Sequence, residues 1–450
     1  MARHRTQAKN GKTSFLKTKQ MQPEYDAFTF SPPKLCDHLH IVHYTNVYKP
    51  ILNGVTVSLE SFRTALNALG HQVYIFASGA SEYKDLERFI IRYPSFELPL
   101  QNYPIAVPSS YTADHFLELA KPDVLHAHHP AILGRAALLH AEKHSLPLVF
   151  TYHTRYHDYS HYAAPFPKDK VDDLITHWIG HFMACCHRVV VPSESIKRMV
   201  EQLYGLSAGV EVVATGVDSQ HFRPGNKKLA REKLGWSNAD VILISVGRLG
   251  KEKNFSLLLK ATALLKQTGT RWKLIIVGQG DEKQALEEMV RDLGLSKQVQ
   301  FVGQVAFSEM PLYLQAADLF CFASVTETQG LATLEAMATG LPVVAVRASG
   351  TADVMTSGVE GFLTDPSPVA LANSIQQMLE QPEFRQECAR RAIQTASGCT
   401  PIRQAQRLVT VYRNAIEDNR RGATLKPYLQ SHWAAFLEFS GLSGGHRTSS

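Results

Sequence analysis

Glu327 and Glu335 stand eight positions apart in the run Glu327-Thr328-Gln329-Gly330-Leu331-Ala332-Thr333-Leu334-Glu335. A strand is expected to end near Ala323, and Gly330 then opens a helix that carries the second carboxylate. Carboxylates at such a junction accept hydrogen bonds from hydroxyls, as on a sugar or a ribose. The backbone N–H groups of Gln329, Gly330 and Leu331 at the helix start offer a surface to a phosphate. An anion beside an anion-binding surface has a cost unless hydroxyls satisfy it, so a phosphorylated, hydroxyl-rich ligand fits better than a solvated Glu pair. A second junction, Gly247-Arg248-Leu249-Gly250-Lys251-Glu252-Lys253-Asn254, sets two cations, Arg248 and Lys253, between a glycine and a helix. Two cations match a diphosphate, and Arg can grip phosphate oxygens bidentately. A solvated basic turn has the same residue types, and the two readings stay open on this segment alone.

The stretch from Tyr152 to Tyr162 holds His153, His157 and His161 with Tyr152, Tyr156, Tyr159 and Tyr162. One reading is a metal cluster, helped by His126-Ala127-His128-His129 and by the four-residue spacing of the three histidines. Against it, the segment starts as a loop and no cysteine or second carboxylate is near. A polar, aromatic acceptor pocket formed by His153, Tyr156, Tyr159, His161 and Tyr162 is the better reading. After the first strand, Asn53-Gly54-Val55 leads into a helix, and Gly54 would let the backbone approach an anion closely. The G-x-G-x-x-G fingerprint is missing there, which argues against a dinucleotide dehydrogenase.

The elements that must position these residues follow from hydrophobic periodicity. Strands are expected at Leu39–Tyr44, Gln72–Ala77, Asp123–Ala127, Pro147–Tyr152 and Arg188–Pro192, with helices such as Val55–Leu69 and Pro130–His144 between them. A second series has strands at Val241–Gly247, Lys273–Gly278, Val299–Val302, Leu319–Ala323 and Pro342–Val346. Its helices are Phe255–Lys266, Glu282–Leu293 and Leu331–Thr339. Helical stretches at Pro368–Glu380, Pro382–Ala396 and Ile402–Asp418 close the chain. The alternation predicts α/β architecture, two doubly wound domains facing a cleft at the carboxyl ends of their strands. The expected division is a disordered arm over 1–34, a first domain over 35–216, a second over 217–400, a helix over 401–418 that crosses back to the first domain, and a tail over 419–450. Gly216–Lys228 reads as the linker.

With 450 residues, the chain is too long for one hydrophobic core. No run of 18 uncharged apolar residues occurs, and the N-terminus lacks the apolar core of a secretion signal. Six cysteines without a C-x-x-C spacing read as reduced thiols of a cytoplasmic protein. The net charge is +6. Residues 1–34 hold Arg3, Arg5, Lys9, Lys12, Lys17, Lys19 and Lys34 against Glu24 and Asp26, which is 7 − 2 = +5. Such an arm suits an anionic surface, lipid or nucleic acid, and equally a solvated tail. The nearly neutral body and the absence of any RRM, KH or helix-turn-helix pattern argue against a nucleic-acid partner. In the tail, Leu429, Trp433, Phe436 and Leu437 share one face of a helix, preceded by Arg420, Arg421 and Lys426. That face suits a membrane interface, or packing on the first domain.

Taken together, these landmarks resemble glycosyltransferase family 4, retaining enzymes of the GT-B fold. Glu327 and Glu335 match its E-x7-E motif. Gly247-Arg248 with Lys253, Val277-Gly278-Gln279-Gly280, Gly216-Val217-Asp218 through Phe222-Arg223-Pro224, and Asn53-Gly54-Val55 match its other landmarks. The resemblance covers Leu39 to Asp418. It implies transfer of a hexose, glucose from UDP-glucose, to an acceptor hydroxyl with retention of configuration. It implies that Arg248 and Lys253 neutralise the leaving diphosphate, Glu335 holds the ribose, and Glu327 orients the sugar. Gln329, Gly330 and Leu331 complete the donor site, Gly54 approaches the diphosphate from the first domain, and His153 lies near the reacting centre. The loop from His153 to Tyr162 is similar to that of enzymes that glycosylate diacylglycerol, which implies a lipid acceptor and a peripheral place on the cytoplasmic membrane face. No D-x-D occurs in the chain, so neither a catalytic metal nor another cofactor is expected. A family member with a soluble acceptor and an epimerase-like or inactive sugar-nucleotide binder are the alternatives.

Overall fold

Among the described residues, nine strands fall in the first half of the chain: β1 (His40–Thr45), β2 (Gln72–Ser78), β3 (Ile90–Tyr93), β4 (Ser95–Phe96), β5 (Ile105–Ala106), β6 (Val124–Ala127), β7 (Leu148–Thr151), β8 (Arg188–Val191) and β9 (Val210–Val212). The helices among them are α1 (Gly54–Ala68), α2 (Tyr111–Ala120), α3 (Leu133–His144), α4 (Lys168–Ala184) and α5 (Glu194–Tyr204). This is a computed structural model, and it describes residues 38–80, 83–96, 104–157, 167–206, 209–265 and 270–422. The basic arm, the tail from 423, and Tyr159, His161 and Tyr162 lie outside the described residues. Seven strands form a sheet in the order β3-β2-β1-β6-β7-β8-β9, parallel at every pairing, while β4 and β5 pair separately.

The second half repeats the scheme. Its strands are β10 (Val241–Val246), β11 (Trp272–Val277), β12 (Val299–Gly303), β13 (Leu319–Phe322), β14 (Val343–Val346) and β15 (Gly361–Thr364). They form a parallel sheet in the order β12-β11-β10-β13-β14-β15. The helices are α6 (Lys227–Leu234), α7 (Phe255–Leu264), α8 (Lys283–Asp292), α9 (Met310–Ala316), α10 (Leu331–Ala338), α11 (Ser349–Val354), α12 (Pro368–Glu380), α13 (Pro382–Ser397) and α14 (Pro401–Arg420).

The central strands are apolar on both faces because helices cover both faces. In the first sheet, Tyr44, Phe76, Leu125 and Phe150 pack with α3 and α4. On the opposite face, Ile41, Ile75 and Val149 pack with Leu59 and Phe62 of α1 and with Leu408, Val411 and Tyr412 of α14. The last helix therefore leaves the second half and docks on the first. Arg188 pairs with Asp418 at 2.7 Å near its end. In the second sheet, Leu243, Leu274 and Ile276 face α7 and α12, while Ile244, Phe320 and Phe322 face α10.

The chain crosses between the sheets twice, side by side. Val217 N–H donates to the carbonyl of Cys399 at 2.8 Å. A Cβ on Gly216 would lie 2.3 Å from the backbone nitrogen of Pro401, so only glycine allows this approach. Each sheet reverses its strand order at one point, between β1 and β6 and between β10 and β13. Ligands of doubly wound sheets bind outside the carboxyl ends at such points. The expected strands lie where they were placed, with ends shifted by a residue or two; Pro147–Tyr152, for instance, is Leu148–Thr151.

Candidate active site

Between the two sets of strand ends lies a cleft of about 940 Å³. One wall carries Gly54, His129, His153, Thr154 and Arg155; the other carries Gly247, Arg248, Lys253, Glu327 and the first turn of α10. The cleft thus brings most of the sequence-derived candidates together.

The second wall grows from two strand ends. After β10, Gly247 is followed by a short turn of 3-10 helix, Lys251–Lys253, before α7 begins. That extra turn brings Lys253 back beneath the strand end, where it forms an ion pair with Glu327. Its ammonium also sits 6.0 Å from the centre of the Phe322 ring. Arg248 is held differently. Its guanidinium donates to Glu252 at 2.7 Å, and Glu252 is nearly buried while Arg248 is half-exposed. Glu252 is a positioning carboxylate that the spacing of the motif does not announce. The Glu327 backbone is fixed in turn, its carbonyl accepting from Ser349 Oγ at 2.8 Å and from Gly350 N–H at 2.9 Å.

At the start of α10, Gly330 adopts φ 77° and no side chain caps the helix. The uncapped first turn, Leu331 and Ala332, lines the cleft. Its free N–H groups and the helix dipole favour an anion there. One turn further along α10, Glu335 lies behind the residues that line the cleft and is not one of them; it has no hydrogen-bond or ion-pair partner among the described residues, and burial pushes its carboxyl up to about 8. A desolvated carboxyl of this kind gains most from hydroxyl donors.

Gln329 lines the cleft with its neighbours at the start of α10, where its backbone N–H is expected to serve, and its side chain has a second task. The Gln329 side chain is buried and faces the other half of the molecule. Its amide donates to Thr215 O and accepts from Thr215 N–H, both at 2.7 Å, and Thr215 Oγ1 donates to Ser58 Oγ of α1 at 2.7 Å. Tyr156 is not among the residues that line the cleft. Its ring meets Tyr152 edge-on at 5.7 Å and packs on the core of the first half, where an apolar ring is better buried than wetted. The backbone from Tyr152 to Arg155 is irregular, so His153 is not on one helix with His157, and His161 lies outside the described residues. His157 instead lies 2.7 Å from Thr176 Oγ1 on α4. His153 does reach the cleft, with Nε2 2.8 Å from Nδ1 of His128. Burial lowers its pKa to about 3, so it is neutral at physiological pH. Above the cleft Arg155 spans to the second half, donating to Val325 O and Ser349 Oγ at 3.2 Å each.

A family model described as Glycosyltransferase Family 4 matches residues 52–221, and one described as Glycosyl transferases group 1 matches residues 226–395. The chain is 32% identical over 313 residues to the alpha-monoglucosyldiacylglycerol synthase of Streptococcus pneumoniae, covering 67% of this chain and 70% of that one. The chain belongs to glycosyltransferase family 4. Another relative, the GDP-mannose-dependent alpha-mannosyltransferase of Corynebacterium glutamicum, is 31% identical over 71% of this chain and 75% of its own. Among solved structures, Anabaena HepE in complex with UDP and glucose superposes with a TM-score of 0.68 at 21% identity, over 84% of this chain and all of that one. The fold is GT-B, and the enzyme is a glycosyltransferase.

Proposed function

We propose that this family 4 glycosyltransferase moves glucose from UDP-glucose to diacylglycerol with retention of configuration. The observation that carries the donor site is the convergence of Arg248, Lys253 and Glu327 with the uncapped start of α10 on one wall of the cleft. Arg248 and Lys253 draw the diphosphate, and their charge counts for more as the leaving group gains charge. Glu335 takes the ribose hydroxyls. Glu327, fixed by Lys253, takes the sugar hydroxyls. In the transfer, the bond from the anomeric carbon to phosphate oxygen breaks, and a bond to the acceptor oxygen forms on the same face. The acceptor proton passes to the departing diphosphate. Two cations already stand where a metal would neutralise that group, and no divalent metal is needed. The lipid acceptor and the glucosyl donor rest on the likeness to the pneumococcal synthase.

The test is to incubate purified protein with diacylglycerol vesicles and labelled UDP-glucose, UDP-galactose, UDP-N-acetylglucosamine or GDP-mannose. Label from UDP-glucose should enter the organic phase, and the product should be the α-anomer by NMR. Preferred use of GDP-mannose would overturn the donor, and a water-soluble product alone would overturn the lipid acceptor. A β-linked product would overturn retention.

A further inference from the structure

A line of imidazoles connects the last helix to the cleft. The Tyr412 hydroxyl on α14 lies 2.7 Å from Nδ1 of His126 and 3.5 Å from Nε2 of His43. His43 Nδ1 is 2.6 Å from His128 Nε2, and His128 Nδ1 is 2.8 Å from His153 Nε2. His126 Nε2 ends a side branch 2.7 Å from Thr151 Oγ1. His43, His126, His128 and Tyr412 are at most 1% exposed, so only His153 meets the cleft.

Burial keeps all four imidazoles neutral, each pushed well below the usual histidine range. A neutral imidazole has one N–H and one lone pair. Each link of the main line joins Nδ1 of one ring to Nε2 of the next, so the donor in one link dictates the donor in the other. His43, His128 and His153 must therefore share one tautomer, all Nε2–H or all Nδ1–H. Tyr412 decides between them. A phenol donates better than it accepts, because its oxygen lone pair is delocalised into the ring. Its short contact is with His126 Nδ1, so its proton goes there and its oxygen is left to accept from His43 Nε2–H. His126 then donates from Nε2 to Thr151. His43, His126 and His128 also hold ring nitrogens within 4.8 Å of one another, close enough to share a metal ion. Every one of those nitrogens already has a partner within this line, which favours hydrogen bonding over coordination.

We propose that Tyr412, His43 and His128 are positioning residues that lock His153 in the Nε2–H tautomer, leaving its Nδ1 lone pair to accept a hydrogen bond from a substrate hydroxyl. His153 Nδ1 has no partner among the described residues. Through Tyr412, the helix that arrives from the second half sets where a proton sits on the first wall of the site. The catalytic consequence rests on the reading that His153 meets a substrate hydroxyl; the tautomer itself does not, and it can be measured without substrate.

The experiment is nitrogen-15 NMR of the full-length enzyme labelled at histidine, compared with Tyr412→Phe, which keeps the ring and its packing. In the parent, His43, His128 and His153 should each show a protonated Nε2 and an unprotonated Nδ1. In Tyr412→Phe the His153 signals should move toward a mixture of tautomers. The same variant should lose about tenfold in kcat, the scale of one hydrogen bond, with donor KM within about twofold. Opposite tautomers among the three rings, a metal found in stoichiometric amount on them, or an unchanged His153 tautomer in Tyr412→Phe would each overturn the proposal. A tautomer shift without any loss of kcat would instead overturn the contact between His153 and substrate.

Discussion

Lys253 brings its charge to a place that already holds an opposite one. Paired with Glu327 and largely shielded from water, it fixes the carboxylate, and in the proposed donor site it would lend positive charge to an incoming diphosphate. Lys253→Ala removes both effects and leaves Glu327 half-buried without a counter-charge. Turnover should fall by about two orders of magnitude or more, as for loss of one preorganised donor. Arg248→Ala should lose a similar factor, and steady-state rates of the folded variants check both. Glu335 makes a second, pH-dependent prediction. Its carboxyl titrates near 8 in the free enzyme, so it is largely protonated at neutrality. In the proposed donor complex, ribose hydroxyls that donate to it would favour the ionised form, so donor binding should release a proton and affinity should rise with pH until 8 is passed. Calorimetric affinity for the donor nucleotide should increase from about pH 6 to about pH 8, by no more than about tenfold per unit, and Glu335→Gln should flatten the slope. The same raised pKa costs the free enzyme stability in the other direction. The native carboxyl holds its proton more tightly than the unfolded chain's, so this contribution is full below 4.5 and is lost as pH rises through 8. An affinity that falls with rising pH would reverse the assignment of Glu335.

At the scale of elements, contacts between the halves hold the cleft, and the buried Gln329–Thr215–Ser58 link is one of them. Gln329→Ala leaves the Thr215 N–H unpaired in a buried place and leaves its carbonyl only the weak donor Cys399 Sγ at 3.6 Å. This should cost about 1–3 kcal/mol, read as a lower midpoint in denaturant unfolding. Gln329→Glu, which cannot donate to the carbonyl when ionised, should behave similarly. This link also shows where sequence reading ends. The strand ends, the glycine at position 330 and the carboxylate spacing were legible because each depends on neighbours a few residues away. Thr215 and Gln329 are 114 positions apart, and His43 and Tyr412 are 369 apart. Nothing local marks a histidine in a strand or a tyrosine in a helix as partners, since each reads as ordinary core. Glu252 escaped for a related reason: it lies in the expected basic turn but looks like one more solvated charge until burial is known. The backbone of Gln329 lines the cleft where its position in the motif put it, but that position says nothing of its side chain, which reaches Thr215.

Across the whole molecule, charge and apolar surface are distributed unequally. The described residues contain no helix long and apolar enough to cross a membrane. The proposed lipid acceptor would be met at a membrane surface, and this can be tested. The arm over 1–34 holds +5 of the chain's +6 charge, leaving a body close to neutral. A neutral body has little attraction of its own to an anionic bilayer, whereas basic residues near such a surface contribute about 1 kcal/mol each. On the proposed reading the arm would govern the electrostatic part of membrane binding, and that part would be screened within a Debye length of roughly 8 Å at physiological salt. The run Leu429-Gln430-Ser431-His432-Trp433-Ala434-Ala435-Phe436-Leu437, with Trp and Phe on its apolar side, would add a salt-insensitive part. The two parts separate in one measurement, flotation with vesicles of graded anionic lipid at low and high salt. The full-length enzyme should float in proportion to anionic content, and removing residues 1–34 should abolish the salt-sensitive fraction. Changing Trp433 and Phe436 to Ser should reduce the fraction that survives high salt. Full-length protein that stays below the gradient at every composition would remove the membrane from this picture, and with it the main support for a lipid acceptor.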